Sequence, residues 1–318
     1  SNEESPMKKY ILKRLLVSAL TLIIITLMLF LLLQLMPGSP FNDEKLSPEQ
    51  QEVLYQKYGL DQPLYVQLGR YMANMLRGDF GVSYSIAKNI SINSILAVRL
   101  PVSIRIGGQA VVVGAFIGII LGCIAALKRN TIWDSITTVI SVLGVSIPSY
   151  VFAMGLAYLF GFKMNWFPLL YNESLPVKSS VLPCIALCMF TIASIARFMR
   201  SEMIEVLDSD YMLFAQSKGI YGPRLVICHA LRNSLISVIT VLGPLIVGLM
   251  TGSLVVEKLF AIPGIGSLLV TAIQSNDYNV TIALTFVYSA LYIGVMLVVD
   301  ILYGIIDPRI RIAKGGGQ

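Results

Sequence analysis

The sequence contains few charged residues, a single histidine and no phosphate-binding loop. Of its 318 residues, 13% are charged and 56% are hydrophobic, whereas about a quarter of a typical soluble domain is charged. The one histidine, His229, cannot by itself build a zinc site or a Ser-His dyad within a membrane. No G-x-x-x-x-G-K-[ST] motif occurs, so the chain is not expected to bind ATP in the usual way. The composition therefore favours a membrane protein that is not itself an enzyme and that holds no cofactor or metal.

The sequence also gives no sign of disulfides, and it has few charged residues within its apolar runs. The four cysteines lie in apolar runs or in one charged loop, so no disulfide framework is predicted. Charged residues stay near the ends of the apolar runs, as Arg105, Glu257 and Asp300 do. A proton-coupled carrier would place carboxylates near the middle of a span, and many secondary transporters contain inverted repeats. Because the sequence shows neither feature, a stand-alone channel or secondary carrier is the less favoured alternative.

Long uncharged runs are what the sequence does contain. A membrane-spanning helix needs about 20 apolar residues. Six runs approach or exceed that length: 15–36, 106–127, 135–162, 179–196, 234–256 and 280–299. The third is long enough to tilt or to extend past the bilayer. The sequence therefore predicts an all-α membrane protein with six transmembrane helices.

The positions of the cations predict the orientation of these helices. Lysines and arginines precede the first run, follow the second, fourth and sixth runs, and are sparse in the other short loops. The positive-inside rule then places both termini in the cytoplasm, and the net charge of +6 does not indicate a nucleic-acid partner. The predicted regions are a cytoplasmic N-terminus at 1–14, the first transmembrane helix at 15–36, an extracytoplasmic loop region at 37–100, the transmembrane domain at 101–306 and a cytoplasmic tail at 307–318.

The extracytoplasmic loop region carries one helical pattern. Apolar residues recur at helical spacing at Tyr65, Leu68, Met72, Met75 and Leu76, which predicts a short amphipathic helix. The glycines and polar residues that follow, up to position 93, are typical of a loop.

The charged loop at 197–233, between the fourth and fifth runs, carries a second pattern. Ser209 or Asp210 is expected to cap a helix of about two turns over 211–218. Gly219 follows where a left-handed residue is favoured, and Pro223 is expected to begin the next helix, which continues into the fifth run. The spacing puts four residues on one face: Tyr211, Phe214, Ala215 and Lys218. Such a helix could bind a cytoplasmic partner or, as the alternative, lie on the bilayer surface without one.

This loop resembles the EAA loop of permease subunits in ATP-binding-cassette (ABC) importers, in which E-A-A-x-x-x-G is followed further along by I-x-L-P. Ala215, Gly219 and Leu231 match the second alanine, the glycine and the leucine. The glutamate, first alanine, isoleucine and proline are replaced by Leu213, Phe214, His229 and Arg232. The replacement of the glutamate argues against a salt bridge from that position to an ATPase.

The rest of the chain is similar to the oligopeptide permease B family, over nearly its whole length. The segments that carry the resemblance are LMPGSPF (35–41), YGLDQPL (58–64), RGDFGVS (77–83), AALKRNTIWD (125–134), GVSIPSY (144–150), SIARFMRSEMIEVL (194–207), HALRNSL (229–235), TGSLVVEKLFAIPGIG (251–266) and DPRIR (307–311). Permease subunits of dipeptide and nickel importers share much of this pattern and remain alternatives.

The resemblance implies a type I ABC importer transmembrane domain in a bacterial cytoplasmic membrane. The implied partners are a homologous second permease subunit, two ATPase subunits that bind ATP and Mg, an extracytoplasmic peptide-binding protein, the peptide cargo and membrane lipid. The extracytoplasmic loop region, 37–100, is expected to help dock the binding protein, and deletion of 83–94 would test this. The residues expected to couple the chain to an ATPase are Asp210, Tyr211, Phe214, Ala215, Lys218, Gly219, Arg224 and Leu231.

A translocation path is expected along the third, fifth and sixth spans. Ser146, Pro148 and Ser149 interrupt the third span, and Glu257 lies near the outer end of the fifth, where it could meet a peptide amino group or a residue of a partner. Proline and glycine within spans are often tolerated for bending, and ordinary packing of small residues is the alternative interpretation. The expected path residues in the fifth span are Gly243, Pro244, Gly248 and Gly252.

Overall fold

A computed structural model describes residues 6–35 and 47–306 of the chain. Within these residues the secondary structure is α-helical with two short π-helical stretches, and one isolated antiparallel bridge joins Val82 to Ser91. The all-α prediction is confirmed. The cytoplasmic tail predicted at 307–318 and part of the loop after the first span, at 36–46, lie outside the described residues.

The helices are named in chain order. They are α1 (Pro6–Leu35), α2 (Pro48–Tyr58), α3 (Leu64–Leu76), α4 (Ile92–Leu127), α5 (Ile132–Ser146), α6 (Ser149–Leu156), α7 (Pro176–Leu207), α8 (Asp210–Ser217), α9 (Gly222–Leu225), α10 (Arg232–Leu259), α11 (Ile265–Gln274) and α12 (Tyr278–Ile306). The π-helical stretch Ala157–Lys163 continues α6, and Val226–Leu231 joins α9 to α10.

Five described helices are long and apolar enough to cross a membrane, and a bent pair, α5 and α6, makes six if it counts as one span. The five segments are Leu12–Leu32, Ile92–Leu127, Pro176–Leu207, Gly222–Ile246 and Tyr278–Leu302. All but the first are longer than the corresponding predicted runs. The predicted set of six spans is therefore confirmed, with one span broken.

The third span, predicted as the run 135–162 with an interruption at Ser146, Pro148 and Ser149, consists of two separate helices. It is bent by 105° between α5 and α6, and Ile147 between them has an extended backbone, with φ −87° and ψ 121°. Pro148 explains the break, because proline lacks an N–H and disfavours helical geometry in the residue before it. The sequence contained this signal.

The described residues form two compact units, which are considered separately. The N-terminal unit comprises the described residues of Ser1–Val102 together with Pro263–Gly294. Its core is formed by α4, α11 and α12, through Ile92, Leu96, Ile265, Leu268, Ala272, Val280, Ala283 and Leu284. Helix α3 confirms the predicted amphipathic helix, while α2 and α11 were not predicted. The sequence also did not predict that Pro263–Gly294 belongs to this unit.

A buried carboxylate organises the loop of the N-terminal unit. Asp277, just before α12, accepts a hydrogen bond from the Ser83 hydroxyl at 2.6 Å and others from the backbone amides of Tyr84, Ser85 and Ile86. Burial, together with the nearby Asp277 and Tyr58, raises the pKa of Tyr84 to about 12. A loop that is distant in sequence is thereby attached to the first turn of α12.

The central unit comprises Ser103–Ile262 and the described residues from Val295 onward. Its centre is α7, which is largely buried. Glycines recur every fourth residue on the face of α4 that meets α7: Gly114, Gly118 and Gly122. A Cβ atom at any of them would lie within 2.9 Å of an α7 side chain. Small residues at this spacing let two spanning helices approach closely.

Candidate coupling helix and translocation path

The coupling segment consists of α8 and the turn that follows it. Helix α8 spans Asp210–Ser217, within a residue of the prediction, and Gly219 has a φ of +80°. Pro223 lies in the first turn of α9, as expected. The predicted side-chain cap is wrong, because the Ser209 hydroxyl donates to the carbonyl of Val206 at 2.6 Å and no side-chain bond caps α8.

One face of α8 is buried against the central unit. Met212 is 1% exposed and Ala215 is 4% exposed, and both pack with Met199, Met203 and Leu225 in one apolar cluster. The prediction that Ala215 shares an accessible face with Tyr211 and Phe214 is therefore wrong. The five residues from Tyr211 to Ala215 are all apolar or aromatic and extend around the whole helix, so the sequence pattern could not identify the inward side.

The opposite face of α8 is exposed and apolar. Leu213 is 62% exposed and Phe214 is 58% exposed, and the Lys218 ammonium lies 4.4 Å from the centre of the Phe214 ring. Asp210 and Arg224, which flank this face in sequence, are also exposed. Large apolar side chains between charged residues are typical of a surface that binds another protein. Leu213, which replaces the glutamate of the EAA motif, belongs to this surface.

A hydrogen bond ties α8 to the segment that leads into α10. The Tyr211 hydroxyl and His229 Nδ1 are 2.7 Å apart, and the two rings are 5.8 Å apart. Leu231 packs against the same apolar cluster as Ala215. Tyr211, although exposed, and the less exposed Ala215 and Leu231 thus connect α8 to its own chain.

Two of the predicted path residues line a cavity at the break in the third span. Pro148 and Ser149 border a space of about 450 Å³ that is lined mainly by apolar side chains. The lining comes from α5, α6, α7 and α10, and includes Ile140, Leu143, Gly144, Phe152, Met189 and Leu249. Ser146, although exposed, is not part of the lining.

The path residues predicted in the fifth span have a different environment. Gly243 is packed against α12, since a Cβ atom there would lie 2.9 Å from Val299 Cγ2, and Pro244 is exposed. For Gly243 the packing interpretation fits better than a lining role. Gly248 and Gly252 lie in α10, but their surroundings fall outside the description.

Glu257 does not face an aqueous opening, contrary to the expectation. The residue is 1% exposed, and its Oε1 accepts a hydrogen bond from the Ser103 hydroxyl at 2.6 Å. A buried carboxylate needs such donors because desolvation is costly. The position of Glu257 near the end of an apolar run suggested that its carboxylate would be exposed. The contact with Ser103 of α4 shows that it is buried.

In 6–35 and 47–306 the chain combines apolar spans with the exposed helix α8, and no three His, Cys, Asp or Glu side chains group as metal ligands. The class of protein, a transport component of the inner membrane, follows from its family. The chain belongs to the family described as binding-protein-dependent transport system inner membrane component, whose model matches residues 118–312. The model for the N-terminal part of such membrane components matches residues 7–106.

Curated relatives cover almost the whole chain. The chain is 44% identical over 306 residues to the dipeptide transport system permease protein DppB of Lactococcus lactis. It is 42% identical to the oligopeptide transport system permease protein OppB of Haemophilus influenzae and 39% identical to OppB of Escherichia coli K12. Each alignment covers 96% of this chain and 100% of the relative.

A solved structure supports the fold alone. A chain of an amino acid ABC transporter crystallised with histidines aligns with a TM-score of 0.54 at 12% identity. The alignment covers 66% of this chain and 94% of the other. The chain therefore has the permease fold of an ABC transporter. The family match and the apolar spans, and not this structure, make it an integral protein of the inner membrane.

Proposed function

We propose that this chain is a permease subunit of an ATP-driven peptide importer, with oligopeptides as its main cargo. The observation that carries the proposal is the similarity of 39–44% identity to OppB and DppB permeases over the full length of those relatives. The segment α8 adds support, because an importer permease needs a surface on which an ATPase subunit can act.

The proposed complex contains a second, homologous permease, two ATPase subunits and an extracytoplasmic peptide-binding protein. ATP and Mg bind to the ATPase subunits rather than to this chain. The distribution of cations supports cytoplasmic termini and a cytoplasmic α8. In this arrangement α8 meets the ATPases, and the loop after the first span is on the side from which peptide arrives, where 83–94 helps dock the binding protein.

In the proposed mechanism Leu213 and Phe214 contact an ATPase subunit and the buried face of α8 transmits the movement. ATP binding closes the ATPase pair and displaces α8. Met212 and Ala215 pack with Met199 and Met203 of α7, so α7 moves with α8. Burying one large apolar side chain at such a contact is worth about 1.5–3 kcal/mol, enough to make the exposed face of α8 a principal docking element.

The double variant L213A/F214A tests the ATPase contact. Both side chains are exposed, so their removal leaves the apolar cluster under α8 intact. We expect the variant to insert normally and to recover at least about tenfold less ATPase subunit on co-purification. Peptide uptake into proteoliposomes is expected to fall in parallel.

A matched control is V53A, which truncates an equally exposed side chain, 64% exposed, in α2. This variant should retain both ATPase recovery and uptake. Full ATPase recovery and uptake by L213A/F214A would contradict the assignment. Replacement of Ala215 by a bulky residue is a poorer test, because it would disturb the chain's own core.

Dipeptides are the second candidate cargo, because the relative at 44% identity is a dipeptide transport system permease. A competition experiment distinguishes the dipeptide function from the oligopeptide function. If oligopeptides are the main cargo, unlabelled penta-peptides should block uptake of a labelled peptide more strongly than dipeptides in the reconstituted complex. The reverse order would favour the dipeptide function.

A further inference from the structure

A bidentate ion pair joins the start of α5 to α7. Arg200 Nε donates to Asp134 Oδ1 at 2.6 Å, and Arg200 Nη2 donates to Oδ2 at 2.8 Å. The backbone amide of Asn130 donates to Oδ2 at 3.0 Å, and Asp134 is buried. Two parallel N–H···O bonds to a carboxylate combine strength with a fixed geometry. The pair therefore sets the relative position of two helices.

The pair lies close in sequence to the coupling helix. Arg200 is in the C-terminal part of α7, which ends at Leu207, and α8 begins at Asp210. The buried face of α8 packs against Met203, which is three residues after Arg200 in α7. A displacement of α8 must therefore reach this part of α7 first.

Beyond the ion pair, α5 stays in close contact with α7. The buried residues of α5 are Asp134, Thr137, Ser141 and Gly144, which share one helical face. At Gly144 a Cβ atom would lie 2.7 Å from Ala193 Cβ and 2.9 Å from the Met189 carbonyl oxygen. The two helices are thus held together by the ion pair at one end and by backbone proximity at the other.

The second contact borders the cavity at the broken span. Gly144 and Met189 both line that space of about 450 Å³, together with Pro148 just after the break. A shift of α7 that α5 follows would move one wall of the cavity. A shift that α5 did not follow would leave the break where it is.

We propose that Asp134 and Arg200 are a positioning pair that carries the displacement of α8 through α7 and α5 to the cavity at the break in the third span. The inference rests on the proposed function, since it assumes that an ATPase acts on α8. It assigns the pair to the coupling of ATP hydrolysis to transport and not only to the stability of the fold.

The test measures how many peptides are imported per ATP hydrolysed by the complete complex in proteoliposomes. D134N keeps the size of the side chain and removes its charge. It is expected to yield an assembled complex that hydrolyses ATP but imports about tenfold fewer peptides per ATP, within the usual range of coupling between sites. The swap D134R/R200D is expected to restore part of this ratio.

The matched control is D208N, which removes the exposed ion pair between Arg129 and Asp208, whose atoms are 3.7 Å apart, and keeps the Arg129 charge that acts on Asp134. Exposed pairs contribute little, so the import ratio of this variant should equal that of the wild type. A second test variant, R200K, keeps the positive charge but cannot form the bidentate pair. Its import ratio is expected to fall between those of wild type and D134N.

Three results would overturn the proposal. One is a wild-type import ratio in both D134N and R200K. The second is failure of both variants to assemble, which would assign the pair to folding alone. The third is an equal loss in D208N and D134N. If the wild-type complex hydrolysed ATP without importing peptide at all, the proposed function itself would fail, and that outcome is distinct from these three.

Discussion

Replacing Gly122 by alanine should separate α4 from α7. A Cβ atom at Gly122 would lie 2.6 Å from Met199 Cβ and 2.7 Å from the Ala196 carbonyl oxygen, whereas ordinary contacts begin at 3.4 Å. Neither neighbour is the far end of a flexible side chain, so the two helix backbones must move apart by several tenths of an ångström. Overpacking of this kind costs about 1–3 kcal/mol.

The loss is partly offset because alanine is the better helix former, by about 1 kcal/mol in soluble helices. A second substitution in the same helix allows the free-energy cost of the packing clash to be measured separately. Gly108 has nothing within 4 Å of an added Cβ atom, so G108A receives the helix-forming benefit without the clash. The expected difference between G122A and G108A is therefore the packing cost of about 1–3 kcal/mol.

The assay is thermal or denaturant unfolding of the purified chain in detergent, with both variants measured under the same conditions. G122A should unfold more readily than the wild type, and G108A should equal or exceed it. If G122A proved as stable as G108A, the close approach of α4 and α7 would not exist as described, and the argument from the glycine spacing would be refuted.

Two further predictions concern the loop of the N-terminal unit. S83A removes the hydrogen bond to the buried carboxylate of Asp277 and the acceptor for the Ala87 amide. It should destabilise the loop by about 1.5–3 kcal/mol, seen as faster proteolysis after Lys88, and equal protection in S83A and wild type would contradict this. The pKa of Tyr84 is raised from 10.0 to about 12, so its contribution to stability is intact below pH 10 and is lost as the pH rises towards 12. The ultraviolet difference titration of wild type against Y84F should show a midpoint near 12, and a midpoint near 10 would contradict the burial of this side chain.

Helix α8 shows where sequence reasoning succeeded and where it failed. Its ends and the left-handed Gly219 were predictable because they depend on local backbone preferences. The direction of Ala215 was not, since it depends on which side of α8 meets Met199 and Met203 of α7. An apolar residue suits both a core and a docking surface, so composition alone could not separate the two.

Glu257 and Gly243 show the same limit within the spans. Each lies where a path residue was expected, yet Glu257 is bonded to Ser103 and Gly243 is packed against Val299. The partners come from other helices, far away in sequence. The assignment of residues to the coupling surface and the path stays a prediction until the variants are measured.

The sequence by itself determined the class of protein, the number of apolar spans and the position of the break at Pro148. These follow from hydrophobic length, from the distribution of charge and from the missing N–H of proline, all of which are properties of short stretches of chain. Only the tertiary structure decided which face of α8 is exposed, that Asp134 pairs with Arg200, and that Asp277 holds the loop at Ser83. Those arrangements depend on distant segments meeting, and the free energy of burying a charge or an apolar face is defined only once the neighbours are in place.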